Sequence, residues 1–276
     1  MRPICFLTDF GLTDDFVGTC KGVMYSISPG IQVLDLTHDV PHFGVEAGAE
    51  ILQHATRYMP ADSVFLAIVD PGVGTKRLGV ALRTYDDSLL VGPDNGLLLP
   101  AANLMGGVVE AVTLTNDSYH LKPVSSTFHG RDVFAPVAAH LAAGVEIGDV
   151  GERMDPTSLQ GLYLPDALEA DGGGSELSAR IISIDRYGNA RLSVMQERAG
   201  FGFGATVTVD SGDGGMAVKY VETFGSAKAG ELILVPDSHW RLSLAINQGS
   251  ATQALSLKVG GWVRIRPPGG PEDAGA

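Results

Sequence analysis

The stretch "SVFLAIV" (Ser63–Val69) is, after its first serine, an uninterrupted apolar run. A strand that is apolar on both faces is typical of a parallel sheet covered by helices on both sides. It continues into "DPGVGTKR" (Asp70–Arg77), a glycine-rich turn with a carboxylate at one end and two cations at the other. Ligands of open α/β sheets bind beyond the carboxyl ends of strands. Asp70, taken as the last residue of this strand, is therefore a candidate functional residue.

Three interpretations of this turn compete: a phosphate-binding loop, an acid/base site and a plain structural turn. A P-loop requires the spacing G-x-x-x-x-G-K-[ST] after a strand. Gly72, Gly74 and Lys76 provide only "GVGTK", so the spacing argues against phosphate binding. The local sequence leaves the other two interpretations open.

Strands and helices alternate through the first 165 residues. "PICFLT" (Pro3–Thr8) and "IQVLDL" (Ile31–Leu36) predict strands, while apolar residues at helical spacing predict helices after Asp14 and from Val45 to Met59. "LGVALRT" and "SLLVG" predict a strand pair across "YDD", and 131–143 predicts a further helix. This layering predicts an α/β domain with a mostly parallel central sheet.

The pattern changes at "DALEADGGGSE" (Asp166–Glu176), whose three consecutive glycines predict a linker. Beyond it, short strands separated by turns predict a smaller all-β domain, either a barrel or a sandwich. The predicted organisation is an α/β domain at 1–165, a linker at 166–176, an all-β domain at 177–267 and a disordered tail at 268–276.

Composition excludes several classes of partner. The formal net charge of −13 disfavours binding to nucleic acid, whose phosphates are neutralised by Lys and Arg. No apolar run of about 18 residues predicts a membrane span, and the N-terminus lacks the pattern of a signal peptide. Cys5 and Cys20 have no CxxC partner, which favours a cytoplasmic protein with reduced thiols. The histidines of "HDVPH" (His38–His42) lack zinc-binding spacing, so no metal site is predicted.

Several polar residues occupy places where ligands bind, although each is compatible with a structural role. Asp9 follows the first strand, and a carboxylate there can accept hydrogen bonds from two ribose hydroxyls. Asp14 and Asp15 suit the N-terminus of a helix. His129, in "STFHGRDVFAP", lies just before another helix.

Taken in order, "FLTDFGLTDDFVG", "VDPGVGTKR", "GPDNGLL", "FHGRDVFAP", "IDRYGN" and "SLAIN" form a specific combination. It resembles the S-adenosylmethionine hydroxide adenosyltransferases, relatives of the bacterial fluorinase and chlorinase, from Pro3 to about Pro267. The resemblance implies hydrolysis of S-adenosylmethionine to adenosine and L-methionine, with no cofactor. It also implies a homotrimer whose substrate lies between the N-terminal domain of one subunit and the C-terminal domain of its neighbour.

The resemblance implies roles for individual residues. The catalytic set falls on Asp70, Arg77 and His129. The implied substrate-binding residues are Asp9 and Phe43 at the ribose, Asn189 and Phe224 at the adenine, Asp185 and Ser238 at the methionine end, and also Asp14 and His239. His239 stands where the halogenases have Arg, and Phe43 where they have Trp. Phe16 replaces a halogenase Ser, so that contact does not transfer.

The implied chemistry is simple because the sulfonium leaves as a neutral thioether and needs no general acid. Asp70 and His129 would hold or deprotonate a water in line with the C5′–S bond, with Arg77 orienting Asp70. A carboxylate beside a guanidinium is a weaker base, so we expect a late proton transfer in which Asp70 chiefly aligns the water.

Two alternatives remain at this point. A halogenase of this type carries Tyr in place of Asp70 and an inserted loop where this chain has the compact "RTYDDSLLV". A carboxylate at this position would repel a halide, which favours water as the nucleophile. A non-catalytic S-adenosylmethionine-binding module could keep Asp9, Asn189 and Ser238. It would not need Asp70, Arg77 and His129 together.

Overall fold

A computed structural model of the protein describes residues 1–162, 168–169, 176–212 and 214–267, with residues 168–169 described by their backbone alone. The chain divides into two compact units, residues 1–163 and 164–276. The predicted linker at 166–176 lies largely outside the described residues, and the predicted tail at 268–276 lies wholly outside them. Those boundaries therefore stay predictions.

The N-terminal unit is built on a seven-stranded sheet with the strand order β2-β1-β3-β5-β4-β6-β7. Strands β2, β1, β3 and β5 run parallel, and β4, β6 and β7 extend one side of the sheet in antiparallel pairing. The strands are β1 Ile4–Thr8, β2 Val33–Thr37, β3 Val64–Ile68, β4 Gly79–Thr84, β5 Leu89–Pro93, β6 Val108–Thr113 and β7 Glu152–Met154. The predicted pair across "YDD" is confirmed as β4 and β5.

Helices cover both faces of this sheet, which explains the apolar run of β3. Val64, Leu66 and Ile68 join one core cluster with residues of α1 and α4, while Phe65 and Ala67 join a second cluster with residues of α2 and α3. The helices are α1 Phe16–Ile27, α2 Val45–Ala55, α3 Leu99–Leu104 and α4 Ala135–Ala142. The predicted α/β class with its parallel central sheet is confirmed.

The ends of some elements differ from the sequence-based expectations. β3 ends at Ile68, so Asp70 lies two residues beyond the strand. The strand does not continue through Val69, because the carbonyl of Val69 accepts a hydrogen bond from the Asn95 side chain. α1 begins after Asp15, so Asp15 occupies the expected position at the helix N-terminus, but its side chain makes no capping hydrogen bond.

The predicted helix at 131–143 opens with a wider π turn over Gly130–Phe134 before α4 begins. Pro136 has no backbone N–H and cannot donate to the carbonyl of Asp132 in regular α-helical fashion. The N–H of Leu121 donates to that carbonyl instead, over 2.8 Å. The π turn therefore places His129 and Gly130 at the start of a locally widened helix.

The C-terminal unit is a closed barrel, which decides between the two predicted all-β architectures. The order of its sheet is β10-β14-β13-β12-β11-β15-β9-β8, and β9 pairs back onto β10 to close it. Its strands are β8 Leu168–Glu169, β9 Leu177–Ile184, β10 Ala190–Met195, β11 Thr206–Asp210, β12 Gly215–Tyr220, β13 Leu232–Pro236, β14 Arg241–Ile246 and β15 Trp262–Arg266. A one-turn helix, α5 (Ala251–Ala254), follows β14.

Both cysteines are free and buried in the sheet-and-helix core. Burial raises the pKa of Cys20 to about 12. This thiol is therefore protonated at neutral pH and acts as a small apolar side chain. Among the described residues, no helix combines the length and the apolar character needed to cross a bilayer.

Gly92 provides a test of the packing between β3 and β5. A Cβ at this position would lie 2.2 Å from the carbonyl oxygen of Ala67, a backbone atom that cannot move aside. We expect Gly92→Ala to lower the free energy of unfolding by about 2–3 kcal/mol through overpacking. Gly22→Ala is the matched control, because a Cβ there meets open space on α1, and we expect it to stabilise by about 0.5–1 kcal/mol. Urea unfolding of both variants measures this, and equal stabilities would contradict the close approach.

Candidate active site

Beyond the carboxyl end of β3, Asp70 and Arg77 form a two-pronged ion pair. Arg77 Nε donates to Asp70 Oδ1 over 3.0 Å, and Arg77 Nη2 donates to Asp70 Oδ2 over 2.5 Å. The two side chains are only 7% and 9% exposed. Bidentate pairs of this kind are geometrically specific, so the carboxylate is fixed in both position and orientation.

His129 is the third member of this cluster. Its Nδ1 lies 3.3 Å from Arg77 Nη2. Because a guanidinium can only donate, Nδ1 accepts, and the proton of the neutral ring lies on Nε2. Burial lowers the pKa of His129, and the charge of Arg77 lowers it further, against the opposing effect of Asp70. At neutral pH this histidine therefore presents an Nε2–H donor.

The glycine-rich turn holds Arg77 against the segment that carries His129. Thr75 Oγ1 donates to the carbonyl of Gly72 over 2.7 Å and accepts from the Arg77 N–H over 3.2 Å. Gly74 has φ +75°, and a Cβ there would lie 2.5 Å from the carbonyl oxygen of Ser126. Only glycine fits this position, so the turn and the segment before His129 pack with backbone against backbone.

Two supporting residues escaped the sequence analysis. Asn95 Nδ2 donates to the Val69 carbonyl over 2.9 Å and fixes the backbone just before Asp70. The Arg77 guanidinium lies over the ring of the buried Phe134, 5.2 Å from its centroid. Asn95 could have been found, because it follows β5, which is parallel to β3, and the carboxyl ends of parallel strands meet at one edge.

Asp9 and Phe43 meet at the end of β1. Asp9 Oδ2 accepts the backbone N–H of Phe43 over 3.0 Å. Phe43 has φ +61°, a left-handed conformation uncommon for a bulky residue, and the residue is 71% exposed. The carboxylate retains acceptor sites for a ligand, and the ring stands beside it in solvent.

Asp14 and Phe16 lie at the start of α1. Asp14 is exposed, and Phe16 packs edge-to-face on Phe10 and Phe128 with ring centroids 6.0 and 5.0 Å apart. Phe10 precedes the loop that holds Asp14, and Phe128 directly precedes His129. The structure thus gives Phe16 an apolar environment, in keeping with the loss of a polar contact at this position.

A second cluster of predicted residues lines a cavity of about 700 Å³ in the barrel. Four of the five predicted residues of this unit face the cavity, namely Asp185, Asn189, Phe224 and Ser238. The fifth, His239, is not in the cavity lining; its backbone N–H donates to Asp237 Oδ1 over 2.8 Å.

Asp185 organises the turn that presents Asn189. Its Oδ1 accepts the N–H groups of Tyr187 and Asn189, each over 2.9 Å, and its Oδ2 accepts from Asn189 Nδ2 over 2.8 Å. The amide of Asn189 is thereby fixed, with one N–H and its carbonyl oxygen still available to a ligand. Such a donor and acceptor side by side can pair with the edge of a purine.

The cavity also holds an ion pair that the sequence analysis missed. Arg191 Nε contacts Asp237 Oδ2, and their side chains are 19% and 15% exposed. Asp237 also accepts the backbone N–H of Arg241 over 3.0 Å. The Arg191–Asp237 pair therefore adds charged hydrogen-bonding groups to the cavity that Ser238 lines, without adding net charge. In the sequence, only the alternating pattern of β10 points to Arg191, and that pattern does not show which face of the strand lines a cavity.

Within the described ranges, no three His, Cys, Asp or Glu side chains are grouped so as to hold a metal ion. His38 instead contacts Thr8 and Asp35.

Several known proteins are similar to this chain over almost its whole length. An (R)-S-adenosyl-L-methionine hydrolase of Salinispora tropica is 43% identical over 267 residues, which cover 95% of this chain and 97% of that protein. One of Thermus thermophilus is 39% identical, with coverage of 96% and 100%. A fluorinase of Actinoplanes is more distant, at 29% identity, with coverage of 95% and 96%. A crystal structure of an uncharacterized conserved protein from Thermotoga maritima superposes with a TM-score of 0.88 at 35% identity, covering 95% of this chain and 99% of that one.

Two family models account for both units. The model for the SAM hydroxide adenosyltransferase N-terminal domain matches residues 4–151, and the model for the C-terminal domain matches residues 179–264. With both halves matched in order over most of its length, the chain belongs to the SAM hydroxide adenosyltransferase family.

Proposed function

We propose that this protein hydrolyses S-adenosyl-L-methionine to adenosine and L-methionine. The observation that carries the proposal is the buried cluster of Asp70, Arg77 and His129 in a member of this family. Water oxygen forms a bond to C5′, the C5′–S bond breaks, and its electron pair goes to sulfur, which becomes a neutral thioether. The water loses one proton overall, so that the reaction releases adenosine, methionine and H⁺.

The chemistry asks the protein mainly to place water. The leaving thioether is neutral and needs no acid, so the barrier is lowered by alignment and by stabilising the growing hydroxide character. Holding reactants in attack geometry can contribute up to about 7–11 kcal/mol. Two buried and mutually fixed groups are well suited to this task.

We propose complementary roles for the two groups. Asp70, fixed by Arg77, accepts a hydrogen bond from the water, and His129 donates to the water oxygen through Nε2–H. With Nδ1 occupied by Arg77, the neutral ring has no free lone pair for the water proton. Asp70 is then the acceptor toward which the proton moves late in the reaction.

The same cluster argues against the rival functions. A buried carboxylate facing the nucleophile repels a halide and attracts the protons of water. The hydrolases named above are also more similar to this chain than the fluorinase is. A module that only binds S-adenosylmethionine would not need a buried ion pair with a histidine attached.

The remaining predicted residues are proposed to bind the substrate. Asp9 and Phe43 would contact the ribose, Asn189 and Phe224 the adenine, and Asp185 and Ser238 the methionine end, with Asp14 and His239 nearby. Arg191 joins this set, since its guanidinium lines the same cavity as Ser238 and has N–H groups beyond the Nε that contacts Asp237, which can bind the methionine carboxylate. No cofactor is required by this scheme.

Two finer points belong to the proposal. The hydrolases above carry the name of (R)-S-adenosyl-L-methionine, and we propose that form as a substrate here, to be compared with the other epimer by adenosine release. We also propose a cytoplasmic homotrimer in which one subunit supplies the half-site of Asp70 and its neighbour supplies the half-site of Asn189.

Asp70→Asn tests the central residue. It keeps size but removes the charge that binds Arg77 and accepts from water, so we expect kcat to fall by about 10²–10⁴-fold while Kd changes less than about threefold. Single-turnover adenosine formation and calorimetric binding measure the two effects. Asp87→Asn, which breaks an exposed pair with Arg2 and Arg83, is the control and should leave kcat unchanged. Parent-like turnover of Asp70→Asn would make Asp70 a structural turn residue.

His129→Gln tests the donor role of His129. The Gln amide nitrogen can occupy the place of Nε2 and donate, so we expect a loss of about 3–30-fold, against about 10²-fold or more for His129→Ala. The pKa of His129 is lowered, so the parent kcat should fall only below the ordinary pKa of about 6.5, as protonated Nδ1 turns toward Arg77. This fall in kcat at acidic pH should be absent from His129→Gln. Equal inactivity of the two variants would contradict the donor role of His129.

Co-expression of two impaired variants with different affinity tags tests the shared site. Asn189→Ala should raise KM about 5–100-fold, because its buried partner is left unsatisfied at a cost of about 1–3 kcal/mol. A ring of three subunits that mixes Asn189→Ala with Asp70→Ala chains contains one intact site. At low substrate, doubly purified trimers should therefore recover about one third of the parent activity. If each chain built its own site, the mixed trimers would show only the residual activity of their Asn189→Ala chains.

A further inference from the structure

We propose that His38, acting through Thr8, is a positioning residue that aligns Asp9 with the ribose hydroxyls. This inference rests on the proposed function, in which Asp9 binds the ribose. His38 itself does not touch the substrate in this scheme.

His38 and Thr8 form a buried polar pair below Asp9. Thr8 is fully buried at the end of β1, and His38 is only 4% exposed, with the Phe6 ring edge-on at 4.8 Å. Buried polar side chains are costly unless their hydrogen-bonding groups are paired. An apolar pair would fill the same space, so the presence of a histidine calls for an explanation.

Consecutive contacts connect Asp35, His38, Thr8 and the backbone of Phe10. His38 Nε2 lies 3.1 Å from Asp35 Oδ1, His38 Nδ1 lies 2.9 Å from Thr8 Oγ1, and Thr8 Oγ1 accepts the N–H of Phe10 over 3.2 Å. A carboxylate oxygen this close to Nε2 would repel a lone pair there, so the ring proton lies on Nε2 although the two atoms are not aligned as a hydrogen bond, and Nδ1 accepts from the Thr8 hydroxyl. The hydroxyl oxygen is then free to receive the Phe10 N–H.

Asp35 is the anchor of the chain. Lys21 Nζ, from α1, lies 2.5 Å from Asp35 Oδ2. Burial alone would raise the pKa of Asp35, but hydrogen bonds from Lys21 and His38 lower it. The carboxylate therefore stays charged near neutral pH and keeps His38 in the tautomer that can accept from Thr8.

The chain acts on both neighbours of Asp9. Thr8 precedes it, and Phe10, whose N–H is held by Thr8 Oγ1, follows it. Backbone hydrogen bonds also link the segment after β1 to the segment after β2. The His38 carbonyl accepts from Gly11 N–H over 2.7 Å, and the Thr8 carbonyl accepts from Val40 N–H over 3.3 Å. These contacts hold the backbone on both sides of Asp9, and the Phe43 N–H holds one oxygen of its carboxylate.

Such rigidity matters for a ribose contact. A carboxylate that accepts from two vicinal hydroxyls must be placed within about 0.5 Å of its productive position. A histidine that only filled the core would affect stability and nothing else. A positioning histidine also affects how well the protein distinguishes a ribose from a sugar that lacks one hydroxyl.

The test measures that discrimination by calorimetry, as the ratio of the Kd for 2′-deoxyadenosine to the Kd for adenosine. Thr8→Val removes the hydroxyl at constant shape, and Thr8→Ser keeps it. His38→Gln keeps a donor toward Asp35 but loses the acceptor for Thr8, and His38→Asn keeps that acceptor. We expect Thr8→Val and His38→Gln to reduce the ratio about tenfold, and Thr8→Ser and His38→Asn to hold it within about threefold of the parent.

Melting temperatures of all variants separate stability from positioning. If Thr8→Val does not fold, the two His38 variants decide, because they differ only in which nitrogen they replace. Unchanged ratios in Thr8→Val and His38→Gln, whatever the loss of stability, would overturn the proposal. So would a parent protein that does not distinguish the two nucleosides. Retained discrimination without adenosine release would remove the proposed hydrolysis and leave the positioning role standing.

Discussion

The Asp70–Arg77 ion pair is the constraint on which the candidate site of the N-terminal unit depends. Removing two charges from water costs several kcal/mol for each ion, and only close, well-directed pairing offsets that cost. The surrounding structure meets this demand: Asn95 fixes the backbone before Asp70, Phe134 lies under the guanidinium, and the Gly74 turn delivers Arg77 at the required distance. The remaining Nη2 contact of Arg77 sets the tautomer of His129.

The parallel register of the sheet brings the two acidic sites of this half together. In the β1–β3 ladder Thr8 is paired with Ile68, so Asp9 and Asp70 follow strands that end side by side. Each carboxylate is held by a loop contact: Asp9 by the Phe43 N–H from the loop after the neighbouring strand β2, and Asp70 by Arg77 from its own glycine-rich turn. The site is therefore built on strand ends whose spacing is set by backbone hydrogen bonds, while the loops supply orientation.

The sequence indicated the strand ends well and the contacts between loops poorly. The apolar run before Asp70 identified both the covered sheet and the place of the site, because periodicity reports burial directly. Barrel closure was left open because it depends on the β9–β10 pairing, which both architectures can accommodate locally. The sequence suggests only a metal-ligand role for His38, and the spacing argues against that role. Its contact with Thr8 was not predictable, because Thr8 lies 30 residues away and no spacing rule links the two residues. Arg191 was missed for a similar reason, as the strand pattern does not reveal the cavity.

An arginine in the site of a cationic substrate needs a physical reason. A free guanidinium would repel the sulfonium, but Arg77 is bonded through two nitrogens to Asp70, and the pair presents little net charge to the substrate. The cluster therefore interacts with a ligand through directed hydrogen bonds. Asp70 offers acceptor sites, and His129, whose Nδ1 is occupied, offers an Nε2–H donor. Because burial and Arg77 both lower the pKa of His129, the ring adds no second positive charge near neutral pH. The cluster therefore offers water one acceptor and one donor in fixed positions, and its near-neutrality lets the acidic surface of the chain, with its net charge of −13, favour the cation.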